Sequence, residues 1–300
     1  MEHTIVVANL CKRYGDVQAV DDLSFTVDTG EFFGILGPNG AGKTTTMEIV
    51  EGLREPDSGT VTLLGQSPWP RNLDLLNRMG VQLQASSFFE FMTTREQIYT
   101  FAEMYGVPTS RADVMLETVG LEDKAETRAE KLSGGQAQRL SIACALVHDP
   151  EVVFLDEPTS GLDPQARRNL WDVLRAINAE GRTVVLTTHY LDEAEVLCDR
   201  VAIVDRGRLL KLGAPAELIR GLDSPVRISI ESGLLTVPDA KALTADAEVS
   251  DDGVSLTIAT RSPSEVLAAL AERDALRGLQ VRGATLEDVF LGLTGREYRE

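Results

Sequence analysis

The chain has 300 residues, 43% of them apolar and 5% aromatic, and carries a formal net charge of −18. That length supports one large globular domain, or one domain with a smaller companion. So acidic a surface is a poor match for nucleic-acid phosphates or anionic lipid headgroups. No nucleic-acid partner is expected, and any phosphate must be held by local donors against the overall field.

No apolar run approaches the roughly 18 residues that a membrane span needs, and "IACALV" (142–147) reads as core helix. The opening "MEHTIVVANLCKRYG" lacks a basic lead and a long apolar stretch, so no secretory signal is expected. Cys11, Cys144 and Cys198 are too few and too widely spaced for a metal or disulfide framework. A cytosolic chain with reduced, buried thiols is the reading.

In chain order, "TIVVANL", "LSFTVDTGE", "FFGILG" and "SGTVTLLG" predict short strands. After the third comes "GPNGAGKTTTMEIV", a loop entering a helix. Residues 37–44 match G-x-x-x-x-G-K-[ST] in full, in the strand–loop–helix context that makes the pattern meaningful. Gly37, Gly40 and Gly42 let successive backbone N–H groups face inward on phosphates. Lys43 supplies a point charge to the β/γ-phosphates, and the Thr44 hydroxyl can ligate Mg²⁺. This is a nucleoside triphosphate site.

"MGVQLQ" (79–84) reads as another short strand. An amide oxygen at Gln82 or Gln84 could complete a Mg²⁺ shell or feel the γ-phosphate, and spacing leaves the two equal. From about 93 to 145 the pattern turns helical: "TTREQIYTFAEMYG", with Thr94 and Gln97 as a capping box, then "RADVMLETVG". "LSGGQ" (132–136) has no Lys-Thr pair, so it is not a second phosphate loop. Ser133 and two glycines ahead of the helical "AQRLSIACALV" nevertheless make an anion site. Facing its own phosphate loop, it would compete for one γ-phosphate. Facing a second copy's loop, it would clamp each ATP between subunits in a two-fold, isologous dimer.

Two strongly apolar strands follow, "EVVFLDEP" (151–158) and "RTVVLTTH" (182–189), with the helical "QARRNLWDVLRAINAEG" between them. Val/Leu-rich strands without polar alternation, joined by a helix, predict a parallel sheet buried on both faces. Two carboxylates emerge from the first strand. Asp156 is placed to orient hydrated Mg²⁺, and Glu157 to polarise the attacking water as general base. His189 ends the neighbouring strand, where a γ-phosphate contact is expected. "DRVAIVDRGRLLKLG" (199–213) reads as a further strand and hairpin.

Composition changes near "GLDSPV" (221–226). Beyond it lie "VRISIES", "VSLTIAT" and a helix with Ser262 as cap, Pro263 at its first position and Glu265 three after the cap. The last helix, "TLEDVFLGL", has Thr285 as cap and Leu286, Val289, Phe290 and Leu293 on one apolar face. Residues 1–220 read as the working domain and 221–300 as a small α+β appendage.

Together these motifs resemble the ATP-binding subunits of ABC transporters over roughly residues 4–220. The Walker A stretch is Gly37, Pro38, Asn39, Gly40, Ala41, Gly42, Lys43, Thr44 and Thr45. "LSGGQ" is the family signature, with Ser133, Gly134, Gly135 and Gln136, and "VVFLDEPTSGLD" is Walker B running into the D-loop. His189 matches the H-loop, Gln84 the Q-loop, and Tyr14 the aromatic residue that stacks on adenine. The family's glutamine ends its strand pattern, which favours Gln84 over Gln82. Gln82 itself departs from the pattern, since many relatives have Pro or an apolar residue there.

The resemblance implies an α/β P-loop NTPase fold: a RecA-like core, an antiparallel β subdomain, a helical subdomain at about 85–145, and the C-terminal α+β domain. It implies ATP hydrolysis with Mg²⁺ held by Thr44, Gln84 and Asp156, and catalysis by Glu157, His189 and Gln84. It places Ser133 and Gly135 on the γ-phosphate of the opposite subunit's ATP, with Asp163 crossing the same interface. The implied partners are a second copy of the chain, in an ATP-sandwich homodimer, and a separate integral-membrane permease. That puts the chain at the cytoplasmic face of the cell membrane. Phe88, Phe89, Phe91 and Met92 fall where the permease docks in this family; core packing is the equal alternative. The ending "TLEDVFLGLTGREYRE" is similar to drug-resistance and antibiotic-export ATPases, relatives of the lipid-handling ABC-A group. An exporter of a drug, antibiotic or lipid-like cargo is therefore expected, with an importer or a soluble ABC ATPase as alternatives. A single ATPase half, without sustained heptads between 45 and 131, argues against the translation and repair types.

Overall fold

The structure is a computed structural model that describes residues 3–82, 88–222 and 224–295. The chain divides into two compact units that meet at Pro215–Ala216. In the first, strands β1 (His3–Tyr14), β2 (Val17–Asp28) and β3 (Phe32–Leu36) precede helix α1 (Lys43–Val50) and β4 (Ser58–Leu63). A single-turn α2 (Leu73–Leu76) and β5 (Met79–Gln82) lead to three helices, α3 (Thr94–Met104), α4 (Arg111–Thr118) and α5 (Gly134–Leu146). The chain then alternates β6 (Val152–Asp156), α6 (Pro164–Ala179), β7 (Thr183–Thr188) and α7 (Leu191–Leu197). The hairpin of β8 (Arg200–Asp205) and β9 (Arg208–Gly213) ends this series.

These strands form two sheets. One is antiparallel, in the order β2-β1-β4, and the other runs β5-β6-β7-β3-β8-β9. The first five strands of the larger sheet are parallel, and β9 closes its edge antiparallel to β8. Every residue of β3, β6 and β7 is buried. That is the physical reason for their largely apolar spelling: helices or the second sheet cover both faces. The core between the sheets joins Ile5, Leu10, Val27, Met47, Phe154 and Val185, and Phe25 stacks on Phe33 at 5.3 Å.

The helical stretch begins one residue earlier than its sequence predicts. Thr93, not Thr94, caps α3, in a capping box with Glu96. Thr94 and Gln97 are buried instead, and the Gln97 amide clips the backbone of Phe89, donating to its carbonyl at 2.6 Å and accepting its N–H at 3.1 Å. Phe89 and Phe91 stay 46% and 68% exposed, with Arg128 over the Phe91 ring.

The second unit opens with most of α8 (Pro215–Arg220) and continues through β10 (Val226–Glu231), α9 (Val237–Lys241), β11 (Glu248–Asp251) and β12 (Ser255–Thr260). It ends with α10 (Pro263–Glu272), β13 (Gln280–Arg282) and α11 (Leu286–Thr294). Its antiparallel sheet has the order β11-β12-β10-β13. Ile228, Ile230, Leu256 and Ile258 point to one face, against Val266 and Leu270 of α10. Thr285 caps α11 in a capping box with Asp288. Two local expectations fail. Ser262 occupies the cap position of α10 without a side-chain hydrogen bond, and Leu293 is exposed while Leu286, Val289 and Phe290 are buried. Among the described residues, no helix is long and apolar enough to cross a membrane.

Candidate nucleotide site

Three neighbouring parallel strands, β6, β7 and β3, end at one edge of the sheet. Ligands of open α/β sheets bind outside such carboxyl ends. From β3 the chain enters the glycine loop. A Cβ on Gly37 would lie 2.2 Å from the Val204 carbonyl, and Gly42 adopts φ 100° with the Ala19 carbonyl equally close. Neither position has room for a side chain, so the backbone itself forms the cradle. Asn39, Gly40 and Thr44 are open to solvent while Ala41 and Lys43 are buried, and Thr45 is half-buried. Ala41 N–H donates to the Pro38 carbonyl at 3.1 Å, which closes the turn.

Lys43 Nζ donates to the carbonyl oxygens of Gly37 at 2.8 Å and Pro38 at 3.3 Å. It also lies 3.3 Å from Glu157 Oε1. The other Glu157 oxygen is 3.1 Å from His189 Nδ1, close but without the alignment of a hydrogen bond. Glu157 thus stands between the lysine that opens α1 and the histidine that follows β7, with a left-handed backbone (φ 47°). Asp156 Oδ1 accepts from Thr44 Oγ1 at 3.4 Å and from Thr187 Oγ1. Burial pushes the Asp156 carboxyl above its ordinary range; the Thr187 hydrogen bond opposes this, and the charge of Glu157 adds to it.

The residues fit a magnesium ion. Thr44 is exposed, its hydroxyl lies within reach of a carboxylate, and the donors are all oxygen, as a hard cation demands. Among the described residues no cluster of three His, Cys, Asp or Glu side chains could hold a metal by itself. That suits an ion which binds through one or two protein groups plus substrate phosphates. Gln84 lies outside the described residues, and Gln82 ends β5 buried.

The other sequence-singled residues sit apart from this cluster. Ser133 caps α5: its Oγ accepts from Gln136 N–H, and the Gln136 side chain accepts from Ser133 N–H at 2.9 Å. A Cβ on Gly135 would meet only Ala166 and Leu162, and one on Gly134 only Leu162. The signature turn therefore packs on the start of α6 rather than on the phosphate loop. Asp163 caps α6, accepting from Gln165 and Ala166 N–H at 3.0 Å each. Tyr14 is exposed at the end of β1, with Lys12 and Arg54 near its ring at 5.7 and 5.6 Å.

Sequence reasoning missed three features. Thr187 contacts both carboxylate-bearing residues. Glu51, just past α1, is buried; desolvation and the charges of Asp156 and Glu48 push its carboxyl to about 8. Behind His189, Tyr190 packs at 4.2 Å, Arg167 lies over Tyr190 and Trp171, and Trp171 Nε1 donates to the buried Glu193 at 3.1 Å. Burial raises the Glu193 carboxyl, opposed by its hydrogen bonds. The only written signal was polar residues interrupting apolar runs: the paired threonines of "VVLTTH" and the lone Glu of "IVEGL".

The chain is similar to known proteins in sequence and in fold. The family model described as ABC transporter matches residues 20–160. Nod factor export ATP-binding protein I of Burkholderia lata is 42% identical over 299 residues, covering 97% of each chain. The protein of the same name from Sinorhizobium fredii is 41% identical over 99% of this chain and 87% of its own. Among solved structures, cbiO1 from Clostridium perfringens, part of the ABC transporter complex cbiONQ, superposes with a TM-score of 0.67 at 28% identity, covering 74% of this chain and 94% of its own. An ATP-binding cassette in its ADP conformation gives the same TM-score at 24% identity over 72% and 93%, a likeness of fold.

Proposed function

Because this chain belongs to the ABC transporter family, as an ATP-binding ATPase subunit, we propose that it energises an exporter by closing on ATP as a pair. The observation that carries the site assignment is the delivery of Lys43, Asp156, Glu157 and His189 to one sheet edge by three adjacent strands. In this reading the loop N–H groups of residues 37–45 and the Lys43 ammonium hold the phosphates of ATP, and Tyr14 stacks on the adenine. Glu157 takes a proton from the attacking water as its oxygen bonds to the γ-phosphorus, and the bond to the β,γ-bridging oxygen breaks to leave ADP. His189 steadies the γ-phosphate. Magnesium, held by Thr44 and Asp156 with Gln84, would supply neutralisation of charge on the phosphate oxygens.

The second copy completes the site. Ser133 uses its oxygen as an acceptor within its own helix and retains its hydroxyl proton to donate. With the N–H groups at the α5 N-terminus, it would bind the γ-phosphate of the ATP on the opposite subunit. Asp163 stands at the start of the helix on which that turn packs, and would cross the same interface.

Export, rather than import or a soluble role, is supported by relatives that match over nearly the whole chain and are named for export. A drug, antibiotic or lipid-like cargo is the class that the C-terminal ending favours. The partner is a separate integral-membrane permease at the cytoplasmic face of the membrane, with exposed Phe89 and Phe91 as its docking patch. The test is a mild-detergent pull-down of tagged protein from its own cells, with mass spectrometry of the co-purifying chains. A stoichiometric multi-span membrane protein is expected. A soluble partner, or none from intact membranes, would overturn the transport reading.

A further inference from the structure

Strands β6 and β7 pair in register so that Asp156 lies opposite Thr187. Thr187 is fully buried, yet its side chain is polar in a strand whose neighbours Val184, Val185 and Leu186 are not. Its hydroxyl works in both directions: the proton goes to Asp156 Oδ1, and the oxygen accepts Glu157 N–H at 3.0 Å. The Thr187 carbonyl shares that N–H at 3.2 Å. One residue therefore holds the side chain of Asp156 and the backbone of Glu157 together.

The second contact matters because of where Glu157 sits on the backbone map. A non-glycine residue in the left-handed region is strained and persists only when its surroundings impose it. At φ 47° the chain reverses just after β6, and the Glu157 carboxylate returns to lie between Lys43 and His189. Thr187 is the clamp on that reversal. The first contact orients Asp156: Thr187 and Thr44 converge on Oδ1, which leaves Oδ2 as the oxygen free of these two bonds.

We propose that Thr187 is a positioning residue for hydrolysis, its hydroxyl orienting Asp156 and holding the turned backbone of Glu157. This rests on the roles given to Asp156 and Glu157 above. A valine at 187 keeps the branched shape and β propensity but removes both hydroxyl bonds, leaving Asp156 with one hydrogen-bond donor fewer in a buried place.

The test compares Thr187→Val, Thr187→Ser and Glu157→Gln with the parent chain. Three readouts are taken: kcat and KM for Mg-ATP, ATP affinity by calorimetry with and without Mg²⁺, and thermal melting. For Thr187→Val, affinity for Mg-free ATP stays within about twofold, while kcat falls about tenfold or more with KM nearly unchanged. The tightening that Mg²⁺ brings to ATP binding falls about fivefold in the same variant. Thr187→Ser, which restores the hydroxyl, recovers kcat to within about threefold. Parent-like kcat and Mg²⁺ tightening in Thr187→Val would overturn the proposal, as would a folded serine variant as impaired as the valine one. Should melting show that Thr187→Val has lost the fold, Thr187→Ala carries the same expectations and the same refutation. Glu157→Gln separates the two layers. If it hydrolyses ATP like the parent, the base assignment itself is wrong. If it is slow while Thr187→Val is parent-like, only the role of Thr187 is wrong.

Discussion

Lys43 Nζ and Glu157 Oε1 are 3.3 Å apart, and both side chains are almost wholly withdrawn from solvent. The cation that would receive the phosphates is thus also a neighbour of the carboxylate that would activate water. Phosphate oxygens and Glu157 would share one ammonium, so on the proposed roles ATP would loosen Glu157 from Lys43 at the point where it is needed beside the water. The amide of Glu157→Gln keeps the shape and gives up the charge. Hydrolysis is expected to slow by about 10²–10⁴ while ATP binding is retained. Held closed as a pair, the variant should show twice the mass of one chain by light scattering at saturating Mg-ATP. A variant that remains monomeric there would refute closure in the isolated subunit.

The packing of Gly134 and Gly135 against Leu162 and Ala166, with Ser133 exposed, directs the signature turn outward rather than into its own phosphate loop. Lys43→Ala and Ser133→Arg each disable a different half of a shared site. Each alone is expected to lose most hydrolysis. Mixed in equal amounts, the two variants should regain activity well above either, because one intact composite site forms in each mixed pair. An additive mixture would count against clamping across subunits.

Glu51 supplies a pH dependence whose sign follows from its burial. Its carboxyl is raised from 4.5 to about 8, so the native chain binds a proton that the unfolded chain has released. Stability from this group is therefore present at low pH and is lost as pH rises from about 4.5 through about 8. Glu51→Gln, which cannot ionise, should match the parent near pH 4 and exceed it by ~2 kcal/mol or more above pH 8. Urea titrations at the two pH values check this. A stability difference independent of pH would show that Glu51 does not titrate between them.

Phe154 is fully buried at the middle of β6, in the core between the two sheets. Phe154→Ala should cost ~3–5 kcal/mol, from lost transfer energy plus the cavity left behind. The urea midpoint should fall with an unchanged slope. A loss under about 1 kcal/mol would mean that the two sheets collapse to refill the space.

Much of this fold was legible because burial on both faces keeps β3, Val152–Leu155 of β6 and Val184–Leu186 of β7 apolar. The glycine loop was legible because two of its positions exclude a side chain outright. Where two registers satisfied the same rule, the written chain could not decide. Thr93–Glu96 and Thr94–Gln97 both spell a capping box, and only the burial of Gln97 against the Phe89 backbone separates them. The short edge strands β11 and β13, "EVSD" and "QVR", are too brief and polar to show alternation; their partners β12 and β10 define them. At the site, motif residues were legible and their supports were not. Thr187 and Glu51 look like stray polar letters until the fold brings Asp156 beside them.

The tryptophan behind His189 makes the molecule its own optical probe. The chain has two tryptophans. Trp171 donates to a buried carboxyl and lies under the guanidinium that also covers Tyr190, whose ring packs on His189. An indole so coupled changes its emission when its polar partners shift. In a Trp69→Phe background a single tryptophan remains, one ring and one cation removed from the histidine, and on the proposed role of His189 events at the γ-phosphate would register as light without a labelled nucleotide.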